Sequence, residues 1–171
     1  MSITFARKHS SRRASSADAL LPGRFGWLMG LYAENHQRLM RMFAPQRLPV
    51  GEYVSSVGDG LDLRLTVQER HPYTIEIGLS YELLDESTGQ PAPSAQLRMY
   101  LDAHATEALH CQPGRELWQV LEPLPAKGVL THRLRMNSFL NRWLEYLGEQ
   151  GHSIGTLKRV VPSESTATAE A

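Results

Sequence analysis

Two runs of strict apolar–polar alternation constrain this chain more than any other feature. Leu61, Leu63, Leu65 and Val67 alternate with Asp62, Arg64, Thr66 and Gln68. Past Arg70-His71-Pro72, Tyr73, Ile75, Ile77, Leu79, Tyr81 and Leu83 alternate with Thr74, Glu76, Gly78, Ser80 and Glu82. Side chains of a strand point to opposite faces in turn, so each run predicts a strand with one apolar and one polar face. A sheet built from such strands must cover its apolar face with something else.

Neighbouring segments extend the pattern. Gly51–Val57 reads as a short strand, and Gly58-Asp59-Gly60 as the tight turn after it, because glycine adopts positive φ without penalty. Residues 85–94 are rich in turn formers and read as a surface loop. Leu97, Met99, Leu101 and Ala103 then alternate with Gln96, Arg98, Tyr100 and Asp102, and a turn near His104 leads to a fifth strand, Ala105–Cys111, of weaker alternation.

The cover comes from two helical patterns. Leu28, Leu31, Tyr32, Asn35, Leu39, Met42 and Phe43 recur at steps of three and four, which places them on one face of a helix from about Arg24 to Phe43. Pro45 and Pro49 stop it. Met136, Phe139, Leu140, Trp143, Leu144 and Leu147 mark a second helix over 132–150, with Thr131 as its candidate N-cap and Gly151 at its end. Between the fifth strand and this helix, Pro113, Gly114, Pro123, Pro125 and Gly128 break the chain, and Trp118 and Leu121 are expected to tether it to the core. The order helix, about five strands, helix predicts an α+β fold: a two-layer sandwich in which an antiparallel meander carries both helices on one face.

Composition bounds the organisation. The chain has 171 residues, 42% of them hydrophobic, enough for one core. Residues 1–19 and 156–171 are poor in large apolar side chains and read as a disordered basic leader and a disordered tail around a single domain at 20–155. Arg7, Lys8, Arg12 and Arg13 against Asp18 make the leader basic, while basic and acidic residues of the whole chain balance at 18 each. That balance asks for neither nucleic acid nor an anionic membrane as partner, and four basic residues would give only a weak, salt-sensitive attraction. One cysteine, Cys111, excludes an internal disulfide, fits a cytoplasmic setting, and falls in an apolar pattern that reads as packed strand.

Three segments carry a family resemblance: Leu28-Met29-Gly30-Leu31-Tyr32-Ala33-Glu34-Asn35 leading to Leu39 and Pro45; Leu97-Arg98-Met99-Tyr100-Leu101-Asp102-Ala103; and Met136-Asn137-Ser138-Phe139-Leu140-Asn141-Arg142-Trp143-Leu144. With Tyr73-Thr74 they resemble, in this order, the YqiB-like family of uncharacterised proteobacterial proteins, over roughly residues 24–155. The resemblance implies a bacterial cytosolic protein and no assigned catalytic residues. It also implies a gene neighbourhood that often holds nucleotide-hydrolysing enzymes.

Phosphate-loop, nucleophile-elbow and His-Glu-x-x-His motifs are absent from the sequence, and no cofactor is indicated. Three constellations remain. In a meander, the turns at Arg70–Pro72 and near His104 fall at the same sheet end. Asp102, His104 and His71, with Glu69 or Glu107, could therefore converge as a metal or acid–base site, against the bland reading of solvated turn residues. On the polar sheet face, Arg64, Glu76 and Arg98 alternate in sign near Tyr100, Thr66 and Ser80. Cross-strand pairing accounts for them, and a docking surface is the sharper alternative. Among Trp27, Trp118, Trp143 and Tyr146, Trp143 lies on the core stripe and Trp27 at or beyond the border of its own, where an exposed aromatic would anchor a partner. The leading expectation is a non-catalytic interaction or adaptor domain with an unidentified protein partner. The alternative is a small-molecule, possibly nucleotide, binder or metal-assisted hydrolase at the sheet end.

Overall fold

A computed structural model describes residues 23–58, 60–84, 86, 88–113 and 128–161. The alternating runs form the sheet expected of them. Its strands are β1 (Gly51–Ser55), β2 (Leu63–Arg70), β3 (Thr74–Tyr81), β4 (Ser94–Tyr100), β5 (Ala105–Gln112) and β6 (Leu157–Arg159), in the spatial order β5-β4-β3-β2-β1-β6. Every pairing is antiparallel. The first five strands are the predicted meander. The sixth corrects the reading of 156–171 as tail: Leu157, Lys158 and Arg159 pair with Ser55, Val54 and Tyr53.

Leu63, Leu65, Val67, Ile75, Ile77, Leu79, Leu97 and Met99 are all buried on one face, as their spacing requires. The alternation fails past the ends of β3, where Tyr73 and Leu83 lie outside the strand and are exposed, and past β4, where Ala103 sits exposed in the turn. The buried face packs against helix α1 (Arg24–Met42) and helix α2 (Val129–Gln150), with Leu39, Phe43, Met136, Phe139, Leu140, Trp143, Leu144 and Leu147 completing the core. Phe139 and Tyr81 ring Trp143 at centroid distances of 5.6 and 5.8 Å. The expected tether through Trp118 and Leu121 lies outside the described residues.

The two helices run side by side in the same direction. Arg24 donates to the Thr131 hydroxyl at 2.9 Å, Asn141 to Asn35 at 3.1 Å and Arg38 to Glu145 at 3.4 Å, so contacts step along both helices together. Thr131 is therefore not the N-cap: α2 begins earlier, after Gly128, and Thr131 is buried within its first turn as an acceptor for Arg24. The far end is as expected. Gly151 takes φ 94°, and its N–H and that of His152 bond to Gly148 and Leu147 carbonyls at 3.1 Å, closing a left-handed glycine cap.

Two β-bulges adjust the sheet. Between Val67 and Glu69 the register against β3 shifts, and the turned strand brings the Arg70 guanidinium onto the carbonyls of Pro45, Gln46 and Leu48 at 3.2, 2.9 and 2.6 Å. This clamps the short 3-10 turn Pro45–Arg47 to the sheet. Between Gln96 and Leu97 the register against β5 shifts, so that Leu97 faces Ala108 while Gln96 faces His110. Bulges leave a main-chain group without its ladder partner. Here the Ala108 N–H is received by the Asn137 side-chain oxygen at 2.9 Å. Asn137 in turn donates to the Arg133 carbonyl at 2.9 Å, and its own carbonyl accepts from Asn35 at 3.3 Å. Buried amides thus lock α1, α2 and β5 into one register.

Candidate functional site

The turn-end constellation is half assembled. Leu101 N–H bonds to the Tyr73 carbonyl at 2.8 Å and Thr74 pairs with Tyr100, so the β2–β3 and β4–β5 turns do sit together at one sheet end. Their side chains go to different partners. His71 Nε2 lies 3.3 Å from Glu69 Oε2 with both groups exposed. Asp102 Oδ1 accepts from Ala103 N–H at 2.9 Å. Glu107 pairs with Arg133 at 3.0 Å and accepts from Tyr100 at 3.4 Å. No hydrogen bond or ion pair joins Asp102, His104 and His71 among the described residues. Nor does any group of three His, Cys, Asp or Glu there have the placement to hold a metal ion.

The polar sheet face is a set of closed pairs. Arg98 donates twice to Glu76 Oε1, at 2.6 and 3.0 Å. Arg64 bonds Glu52 of β1 and Glu82 beyond β3, not Glu76. The reason is register. β2 lies between β1 and β3, and Glu76 stands opposite Arg98 on β4 and, past the bulge, opposite Glu69 on β2. Gln68 and Gln96 join amides across β3 at 3.2 Å, passing over Gly78, where an added Cβ would lie 3.3 Å from Gln68 Nε2.

Of the aromatic set, Trp143 is buried, Trp118 is outside the described residues, and Trp27 is 50% exposed. It has company. Phe25 and Met29, 65% and 39% exposed, flank it on α1, and Val129, 73% exposed, begins α2. Phe25 lies one turn before Leu28 and two before Tyr32 on the buried stripe of α1, so the stripe continues past its cover into solvent. The Arg24–Thr131 bond sets the two helix starts side by side, which gathers these side chains at one end of the molecule.

Sequence reasoning missed two buried polar groups. Ser55, His152 and Thr156 form a chain with Ser55 Oγ 2.7 Å from His152 Nδ1 and 2.6 Å from Thr156 Oγ1. The Ser–His distance suits a nucleophile and base, but both side chains are buried and a substrate would have no access to them. Their role is to fasten the turn after α2 to β1. No sequence signal links residues 97 apart in this way. The second is buried His36, whose ring meets that of the exposed His104, itself a candidate from the sequence, edge-to-face at 5.6 Å. Its position on the apolar stripe, between Tyr32 and Leu39, was the available signal. Cys111 offers no nucleophile, since burial pushes its thiol up to about 12.

An open depression of about 640 Å³ borders Gly51, Glu52, Arg159, Val160 and Val161 and includes none of the candidate residues. No helix among the described residues is long and apolar enough to cross a membrane. Residues 38–153 match a family described as "Protein of unknown function (DUF1249)". No curated protein and no solved structure matches the chain.

Proposed function

This chain belongs to the DUF1249 family, and from that premise we propose that it is a non-catalytic interaction domain of the bacterial cytosol, in the YqiB-like proteobacterial branch, docking another protein at the paired starts of α1 and α2. The observation that carries this reading is Trp27, half exposed near the start of a well-formed helix. Large aromatics held on rigid backbone bind at low entropic cost and dominate interface energetics.

The polar sheet face supports this choice by elimination. Arg64, Glu76, Arg98 and Tyr100 are engaged within the face or with Glu107 beside it, so little uncompensated charge is left to steer a partner there. The scattered turn-end groups likewise give a reaction no nucleophile–base pair open to solvent.

The test is quantitative affinity capture with the full chain, wild type against Trp27→Ala and against Arg64→Ala as a face control. A partner lost roughly tenfold or more with Trp27→Ala, the effect of removing about 1.4 kcal/mol or more at an anchor, and kept with Arg64→Ala supports the reading. Identical recovery with all three proteins sinks it. A thermal-shift panel of nucleotides and divalent metals addresses the ligand-binding alternative in the same samples, since ligand binding to the native state raises Tm.

A further inference from the structure

His36 is buried to within 4% of its surface on the inner side of α1. It faces the tip of the β4–β5 hairpin. Its Nδ1 lies 3.3 Å from the Thr106 hydroxyl, and its ring meets His104 edge-to-face at 5.6 Å. His104 is exposed and is held at φ 49°, a left-handed conformation in which a side chain is uncommon outside tight turns. The contact therefore joins a buried ring on a helix to a solvent-facing ring on a constrained hairpin tip. We propose that the His36–His104 contact is a proton-sensitive latch, which holds the β4–β5 hairpin against α1 when His36 is neutral and releases the tip of edge strand β5 when His36 is protonated.

Charges around the pair do not favour an imidazolium at His36. Arg133 of α2 is engaged by Glu107 of β5 and by Tyr32 of α1, and Arg38 of α1 by Glu34 and by Glu145 of α2. Asp102 in the turn accepts from Ala103 N–H, and His110 of β5 stands opposite Gln96 on the polar face. Burial holds the His36 ring below its usual range, His104 pushes it the same way, and a hydrogen bond to the Ala105 main chain opposes them. The sign follows. A depressed imidazole is neutral in the closed form but regains its ordinary affinity for protons, near pH 6.5, once the hairpin swings away and water reaches it. Stability of the closed form is full above about pH 6.5 and is lost as pH falls below it. The inference is independent of the docking surface, which lies on other residues.

The experiment follows the full chain by NMR between pH 7.5 and 5.5, reading the His36 ring titration and amide exchange corrected for intrinsic rates. In the wild type, His36 should titrate below pH 6.5, and protection at Ala105–Ala108 should fall relative to β3 as the pH drops through that value. His104→Asn keeps a residue tolerant of the left-handed backbone and removes the ring. Its His36 midpoint should move upward and its loss of protection should shrink at least threefold. His36→Gln should abolish the pH response. The exposed His104 variant keeps the test decisive even if the buried substitution impairs folding. Hairpin protection that follows β3 at both pH values in the wild type overturns the latch, as does an unchanged pH response in His104→Asn.

Discussion

Replacing Asn137 probes the joint where both helices meet the bulged strand. Its side-chain oxygen is the acceptor for the Ala108 N–H, and its amide donates to the Arg133 carbonyl, both at 2.9 Å, with the bond to Ala108 buried and the bond to Arg133 partly so. Asn137→Ala leaves the Ala108 N–H buried without a partner, at about 1–3 kcal/mol. The Arg133 carbonyl keeps its helical bond and loses less. The emptied volume adds roughly another kcal/mol. A total of about 3 kcal/mol corresponds to roughly 6–12 °C in Tm for a domain of this size. Asn137→Asp separates the two bonds. A neutral carboxyl still accepts from Ala108 with one oxygen and can donate its O–H to Arg133, whereas a carboxylate turns a lone pair onto that carbonyl. Burial and the facing carbonyl raise the native carboxyl above its unfolded value of about 3.9. The native state then holds its proton longer than the unfolded chain. The variant should come closest to wild type below about pH 3.9 and lose about 1.4 kcal/mol per pH unit above it, until the native carboxyl itself ionises. Urea unfolding followed by circular dichroism from pH 4 to 7.5, with wild type subtracted at each pH, measures this. An Asn137→Asp offset that does not change with pH, or an Asn137→Ala cost under about 0.5 kcal/mol, would refute the bulge-capping argument.

Two further outcomes follow from the same geometry. Cys111, pushed by burial from 9.0 to about 12, should react with a thiol reagent at pH 8 about 1,000-fold more slowly than after unfolding in urea, because thiolate is the reacting form; comparable rates in the two states would place it outside the core. The Arg98–Glu76 pair is doubly bonded but solvated, so a double-mutant cycle should give a weak coupling that declines as salt is raised; a coupling unchanged by salt would mean the face is drier than its exposure indicates.

The central strands were legible because each residue of β2 and β3 between Leu63 and Val67, and between Ile75 and Tyr81, is decided by one question, in or out. β5 was blurred because its bulge puts Ala108 inward and His110 outward with an extra residue between them. A two-residue period does not survive an insertion. β6 was invisible for a different cause: Leu157-Lys158-Arg159 is too short to show a period and exists through its pairing with β1, about a hundred residues earlier. Thr131 shows the limit of cap signals, since a threonine near a helix start serves equally as an acceptor inside the first turn. At the sheet end, topology placed the turns of His71 and His104 correctly. Side-chain direction depended on what stood nearby, and His104 found His36, a residue on an element far away in the chain. Trp27 was the simplest case: its angular position on the helix separated it from the stripe, and the structure leaves it half in water.

The parallel placement of α1 and α2 has a consequence for synthesis on the ribosome. α1 emerges early, yet its stripe has no cover until the sheet is made, and its side neighbour α2 and the strand β6 follow only after that. The 117 residues from Met42 to Arg159 take on the order of 10 s to translate. For that interval, Leu28, Leu31, Leu39 and Phe43 wait in an unpaired amphipathic segment, which makes the nascent chain a natural client for a chaperone that binds short apolar stretches. Cutting the chain between β5 and α2 should likewise yield two pieces that aggregate separately and regain structure only when mixed.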